Sequence, residues 1–201
     1  EFLRPAIPRT LFRGLCALGL YHRAPVAAWS MRRLERQYLA GLSDGDTAYI
    51  WPSVPLELYR AIKARGHTLV AERINCHRKT SRRVLAEAYA KLGWQPESEI
   101  PEHDMEIENE KMALADYVFA PGNNVAASLL DADVPERKVL RTSYGWEPGR
   151  FRFEELAPSD PECPTFLFVG RGCVRKGVPW LLEMWARAGI NGRLLLFLLG
   201  D

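Results

Sequence analysis

Residues 168–177, FVGRGCVRKG, hold three glycines (Gly170, Gly172 and Gly177) and three cations (Arg171, Arg175 and Lys176). The apolar run TFLFV at 165–169 and the amphipathic pattern over 178–188 predict a strand, a loop and a helix in that order. At such a junction the first backbone N–H groups of the helix have no partner within it. The positive end of the helix dipole faces the same loop, so the chemistry on offer is anion binding. Arg171 can grip a phosphate through two N–H groups, and Lys176 adds a point charge from the first turn. Two better-known phosphate loops do not fit: the third glycine of G-x-G-x-x-G falls on Arg175, and Lys176 is followed by Gly177 rather than Ser or Thr. What remains is a phosphate clamp, Gly170-Arg171-Gly172 with Lys176. The competing reading is a surface loop with incidental cations. Arg175 reads as a surface cation at the helix start.

His77 is the second candidate. It lies in INCHRKTS just past the predicted strand 67–72, where an α/β sheet presents its carboxyl edge to ligand. A capping or surface histidine is the alternative. Arg78, Lys79, Arg82 and Arg83 follow it, and could meet an acceptor phosphate, an anionic membrane surface or only solvent.

The elements that must position these residues alternate. Apolar spacing gives a helix over 24–42, a strand at 47–51, a helix ending at Gly66, and a strand at 67–72. A helix ended by Gly93, a helix reaching Ala115, a strand at 117–120, a short helix at 124–130 and a strand at 138–142 follow. This order predicts an α/β fold, a mainly parallel sheet with helices on both faces, as a Rossmann-like domain over 1–150. Residues 151–164 carry three prolines and four acids and read as a linker. Residues 165–201 open a second β-α-β unit, too short to bury a core alone, and both chain ends look cut.

Composition bounds the partners. With 27 Lys and Arg against 25 Asp and Glu, net charge is +2, which demands no nucleic acid. The basic residues are uneven: seven arginines fall within residues 1–40, and seven acids fill 97–110. Cys16, Cys76, Cys163 and Cys173 are far apart, outside disulfide or metal-ligand spacing, so free thiols in a cytoplasmic setting and no metal site are expected. No apolar run approaches the roughly 20 residues that span a bilayer, which leaves peripheral contact as the membrane role expected of the arginines.

Two stretches carry a family resemblance. FVGRGCVRKGVPWLLEMWARA resembles the opening of the C-terminal domain of retaining, nucleotide-sugar-dependent glycosyltransferases of the GT-B fold, the large group-one type that includes sucrose- and glycogen-synthase relatives. LADYVFAPGNNVAASLLDADVPERKVLRTSYGWEPGRF, residues 114–151, resembles the last strand-helix-strand of that family's N-terminal domain. The resemblance covers about half the chain. It implies two Rossmann-like domains, and transfer of a sugar from a nucleoside diphosphate sugar to a hydroxyl acceptor (polysaccharide, lipid or glycoside) with retention and without an obligatory metal or other cofactor. It implies that Arg171 and Lys176 hold the donor diphosphate, that His77 faces the sugar, and that Glu110 is the acid preceding the Ala115-Asp116 pair, with a structural role.

The chain departs from the family pattern at Gly122, where Ser is usual, and at Tyr144-Gly145, where Asn-Gly is commoner. The family's pair of donor-binding glutamates does not occur before residue 201. A non-catalytic Rossmann-like module that binds a nucleotide or a partner is the alternative. Donor base, sugar, acceptor and oligomeric state stay open.

Overall fold

The computed structural model describes residues 23–96, 98–150 and 162–199. Arg4, Arg9, Arg13 and Cys16 from the arginine-rich start, residues 151–161 of the expected linker, and Gly200-Asp201 lie outside the described residues. The elements are α1 (Arg23–Gly41), β1 (Thr47–Ile50), α2 (Leu56–Ala64), β2 (Thr68–Glu72), α3 (Arg78–Leu92), α4 (Glu102–Leu114), β3 (Tyr117–Pro121), α5 (Asn123–Leu130) and β4 (Val139–Thr142). Further along the chain among the described elements come β5 (Thr165–Gly170), a 3-10 turn at Val174–Lys176, α6 (Val178–Ala188) and β6 (Arg193–Leu198).

Local sequence accounts for the boundaries. Leu58, Tyr59 and Ile62 form one apolar stripe of α2, all buried. Gly93 ends α3 in the left-handed conformation (φ 68°), which costs glycine no Cβ clash. Its N–H donates to Ala90 O at 3.0 Å and the Trp94 N–H to Tyr89 O at 3.1 Å, closing the last carbonyls of the helix. Lys138 Nζ reaches the far end of α4, donating to Ala113 O at 2.9 Å and Ala115 O at 2.7 Å, where a cation also suits the helix dipole.

Four strands pair in parallel in the order β1-β2-β3-β4. Ala48 and Ile50, Leu69 and Ala71, and Val118 and Ala120 point to one face and are buried. They form one cluster with residues of α1, α2, α4 and α5, including Ile62, Met112 and Leu129. Asp116 clamps the sheet's start: its Oδ2 accepts the Leu69 N–H at 2.7 Å and Lys63 Nζ at 2.6 Å. Burial pushes this carboxyl up, but Lys63, the Leu69 N–H and the charge of Lys138 together hold it below the ordinary aspartate value.

Of the two helical layers expected, the described residues show one. Among the described residues, helices cover only the face of Ala48, Leu69 and Val118. Across the opposite face run the rows Tyr49, Val70, Tyr117 and Glu72, Phe119, Leu140, with Tyr49 46% and Tyr117 42% exposed. Strand order gives the reason. Right-handed crossovers between consecutive strands all step the same way across the sheet and deliver every helix to one side; a second layer requires the order to reverse.

The second unit is smaller. β5 and β6 pair in parallel, from Thr165↔Arg193 to Gly170↔Leu198, and α6 covers one face, where Phe166 meets Trp185 edge-on at 5.3 Å. On the other face Leu167, Val169 and Phe197 are each over 60% exposed. Two strands and a helix leave a core open on one side. Val174 and Val178 are buried, and the Val174–Lys176 turn lies beside α3.

One-sided burial predicts unequal costs for neighbouring residues. Leu69→Ala should cost about 2–5 kcal/mol and Val70→Ala about 1 kcal/mol or less, measured by urea unfolding. Equal losses would mean that the opposite face is covered.

Candidate functional site

The carboxyl edge of the sheet is organised by loop 73–77. Its backbone is held at both ends: the Arg73 N–H donates to Phe119 O at 3.0 Å, and the His77 N–H donates to Ser128 Oγ at 2.9 Å. The Tyr144 hydroxyl donates to Ile74 O at 2.9 Å from the segment leaving the first unit. Glu108 anchors the loop from α4. Its carboxylate pairs with the Arg73 guanidinium and accepts the Arg78 N–H at 2.7 Å, and its side chain and that of Arg73 are both at least nine-tenths buried.

His77 closes this cluster. Only 1% of its side chain is exposed, and Nδ1 accepts the Lys79 N–H at 3.2 Å, which makes it the N-cap of α3. With Nδ1 an acceptor, the ring proton sits on Nε2, 3.4 Å from Glu108 Oε2. A side-chain hydrogen bond with Asn109 favours the protonated ring. Burial holds the imidazole below its ordinary value of 6.5, against the pull of Glu108 and with help from Arg73. Of the two roles open to His77, capping is the one that this geometry displays.

The sequence reading selected Glu110 and passed over Glu108 and Arg73. Glu110 is half-exposed and takes Arg60 through two bonds of 2.7 and 2.9 Å, a surface pair. The missed signal was helical spacing: Met105, Glu108 and Met112 fall three and four apart and are the buried positions of α4. A lone acid on an apolar stripe needs a buried cation, and Arg73 directly follows strand β2.

The glycine and cation loop leaves β5 at its carboxyl end. Leu199 N–H donates to Gly170 O at 2.9 Å, and Cys173 N–H to Arg171 O at 2.9 Å, so the chain turns sharply across Gly172. A Cβ at Gly170 would come 3.3 Å from the Phe168 ring. Lys176 is not in the first turn of the helix as expected. It ends the Val174–Lys176 turn, and Gly177 follows with φ 75°, a left-handed step that redirects the chain into α6. Pro179 occupies the first turn of α6. Arg171, Arg175 and Lys176 are all exposed on this one loop.

The departures at Gly122 and Tyr144 have local causes. Gly122 caps α5 with φ 101°, a conformation that serine disfavours, and Tyr144 holds loop 73–77 through its hydroxyl. Among the described residues Cys76, Cys163 and Cys173 are unpaired, and no helix is long and apolar enough to cross a membrane.

Removing Glu108 leaves the Arg73 charge buried without its partner, so Glu108→Ala should cost about 3–5 kcal/mol, whereas Glu110→Ala should cost about 1 kcal/mol or less. Chemical denaturation reads both. The unfolded His77 imidazole takes a proton before the folded one as pH falls, so its stabilisation is complete above about 6.5 and declines on acidification. His77→Asn, which can still cap α3, should move the start of that decline to lower pH in a melting series; an unchanged profile would assign it to other groups. Comparisons of the chain with profiles of protein families, with curated proteins and with solved structures found no match, so a function has to be argued from the residues and their placement.

Proposed function

We propose that the protein is a retaining glycosyltransferase of the GT-B type. In this reading the four-stranded unit serves the acceptor side and the β5-α6-β6 unit the donor side, with transfer from a nucleoside diphosphate sugar to a hydroxyl. The observation that carries it is the loop between β5 and α6. It sets three exposed cations and three glycines at the carboxyl end of a parallel strand, the edge at which α/β proteins bind nucleotides. The strand-loop-helix context is also the one that the resemblance implies for Arg171 and Lys176.

The chemistry follows from charge. As the bond from the sugar to the diphosphate breaks, negative charge grows on the departing oxygen. Arg171 can meet it through two N–H groups and Lys176 through an ammonium. Gly170 and Gly172 keep side chains away from the path of the phosphates. Retention comes from the resemblance. His77 enters this reading as the cap that fixes the start of α3, since its buried ring has its Nδ1 occupied.

Arg171→Ala and Lys176→Ala should each abolish most of the thermal stabilisation given by UDP or GDP. Transfer or donor hydrolysis should fall by about 10²–10³-fold in each. Unchanged shifts in both variants would sink the diphosphate role. Nucleotide binding lost in the variants, without transfer to any hydroxyl acceptor in the wild type, would favour a binding module.

A further inference from the structure

Helix α3 is built against its own dipole. Its first six residues include Arg78, Lys79, Arg82 and Arg83, and its first turn has no acid, although the positive end of a helix dipole favours acids there. The His77 cap and the Ser128 bond fix the start of the helix, and Arg78 lies 3.8 Å from Asp104 of α4. Between α3 and α4 lies a cleft of about 480 Å³, lined by His77, Lys79, Arg82, Arg83, Glu102 and Asn109 among others. Arg82 reaches Glu102 at 2.7 Å and Arg83 reaches Glu87 at 2.9 Å, both exposed pairs that solvent screens and that an arriving anion can replace. Lys79 Nζ donates to the neutral Asp131 carbonyl at 3.3 Å, which leaves its full charge uncompensated. At the inner wall His77 Nε2 is buried, 3.4 Å from Glu108 Oε2.

We propose that this cleft binds a phosphoryl group, with Lys79 and Arg82 as principal contacts. A phosphate offers the several oxygens that a fork, an ammonium and a helix start can share. The Val174–Lys176 turn of the donor loop also lies beside α3, so a group held here sits on an element that both sites share. Resting on the glycosyltransferase reading, the ligand is the phosphate of the acceptor. It has two sources with one chemistry, a soluble phosphate ester or the headgroup of an anionic lipid.

The test uses the full chain, with inorganic phosphate and glycerol 3-phosphate as soluble probes and phosphatidylglycerol vesicles against phosphatidylcholine vesicles as membrane probes. Binding is followed by titration calorimetry and by vesicle co-sedimentation. Lys79→Ala/Arg82→Ala, and the charge reversal Lys79→Glu, should weaken binding about tenfold or more, with circular dichroism unchanged. Loss on the soluble probes assigns a free phosphate ester, and loss confined to phosphatidylglycerol assigns the lipid headgroup. Wild-type affinity in both variants, or no binding of any probe to the wild type, overturns the proposal. UDP binding should be normal in these variants and phosphate binding normal in Arg171→Ala, so a failure of the donor reading is seen separately.

Discussion

Glu108 is the constraint on which the carboxyl edge depends. A carboxylate with 1% of its side chain exposed needs an opposite charge beside it. Glu108 has the Arg73 guanidinium, which directly follows strand β2, and the Arg78 N–H, which begins helix α3. One buried charge therefore fixes the spacing between a strand, the next helix and the helix after that. The His77 cap and the Ser128 bond are consequences, because both need loop 73–77 held at that distance from α4.

The sheet imposes a second constraint. Parallel strands in consecutive order collect their helices on one face, and the rows through Tyr49 and Phe119 are left on the other. Tyr49 manages part of that exposure by donating its hydroxyl to Glu72 at 2.5 Å, and this bond to a carboxylate raises the phenol to about 12. All-parallel sheets are ordinarily buried on both faces, so this face and the open side of β5-β6 are the two surfaces that the described residues leave uncovered.

Cations at helix starts recur. α3 opens on Arg78 and Lys79, and α6 is preceded by Arg175 and Lys176. Positive charge at the positive end of a dipole opposes helix stability, and at α3 the acids of α4 offset it, with Arg78 3.8 Å from Asp104 and Arg82 2.7 Å from Glu102. By contrast, Asp116 and Lys138, two residues of the motif over 114–151, serve the fold: one ties β2 to β3 and the other closes α4.

The sequence by itself determined the elements and their order. Apolar spacing and glycine stops are local properties, and the helices ended by Gly66 and Gly93, the four strands and the β5-loop-α6 junction all lie within a few residues of where those patterns put them. It also identified the loop of Arg171 and Lys176, since the chemistry there is written in consecutive residues. Tertiary structure alone decided three things. It chose between Glu108 and Glu110, because burial depends on which side of α4 meets the sheet. It gave His77 a capping role, because that depends on loop 73–77 being tied to residues 30 to 70 positions away. It also put the helices of the described residues on one face, because strand order is a long-range pairing that no local pattern encodes.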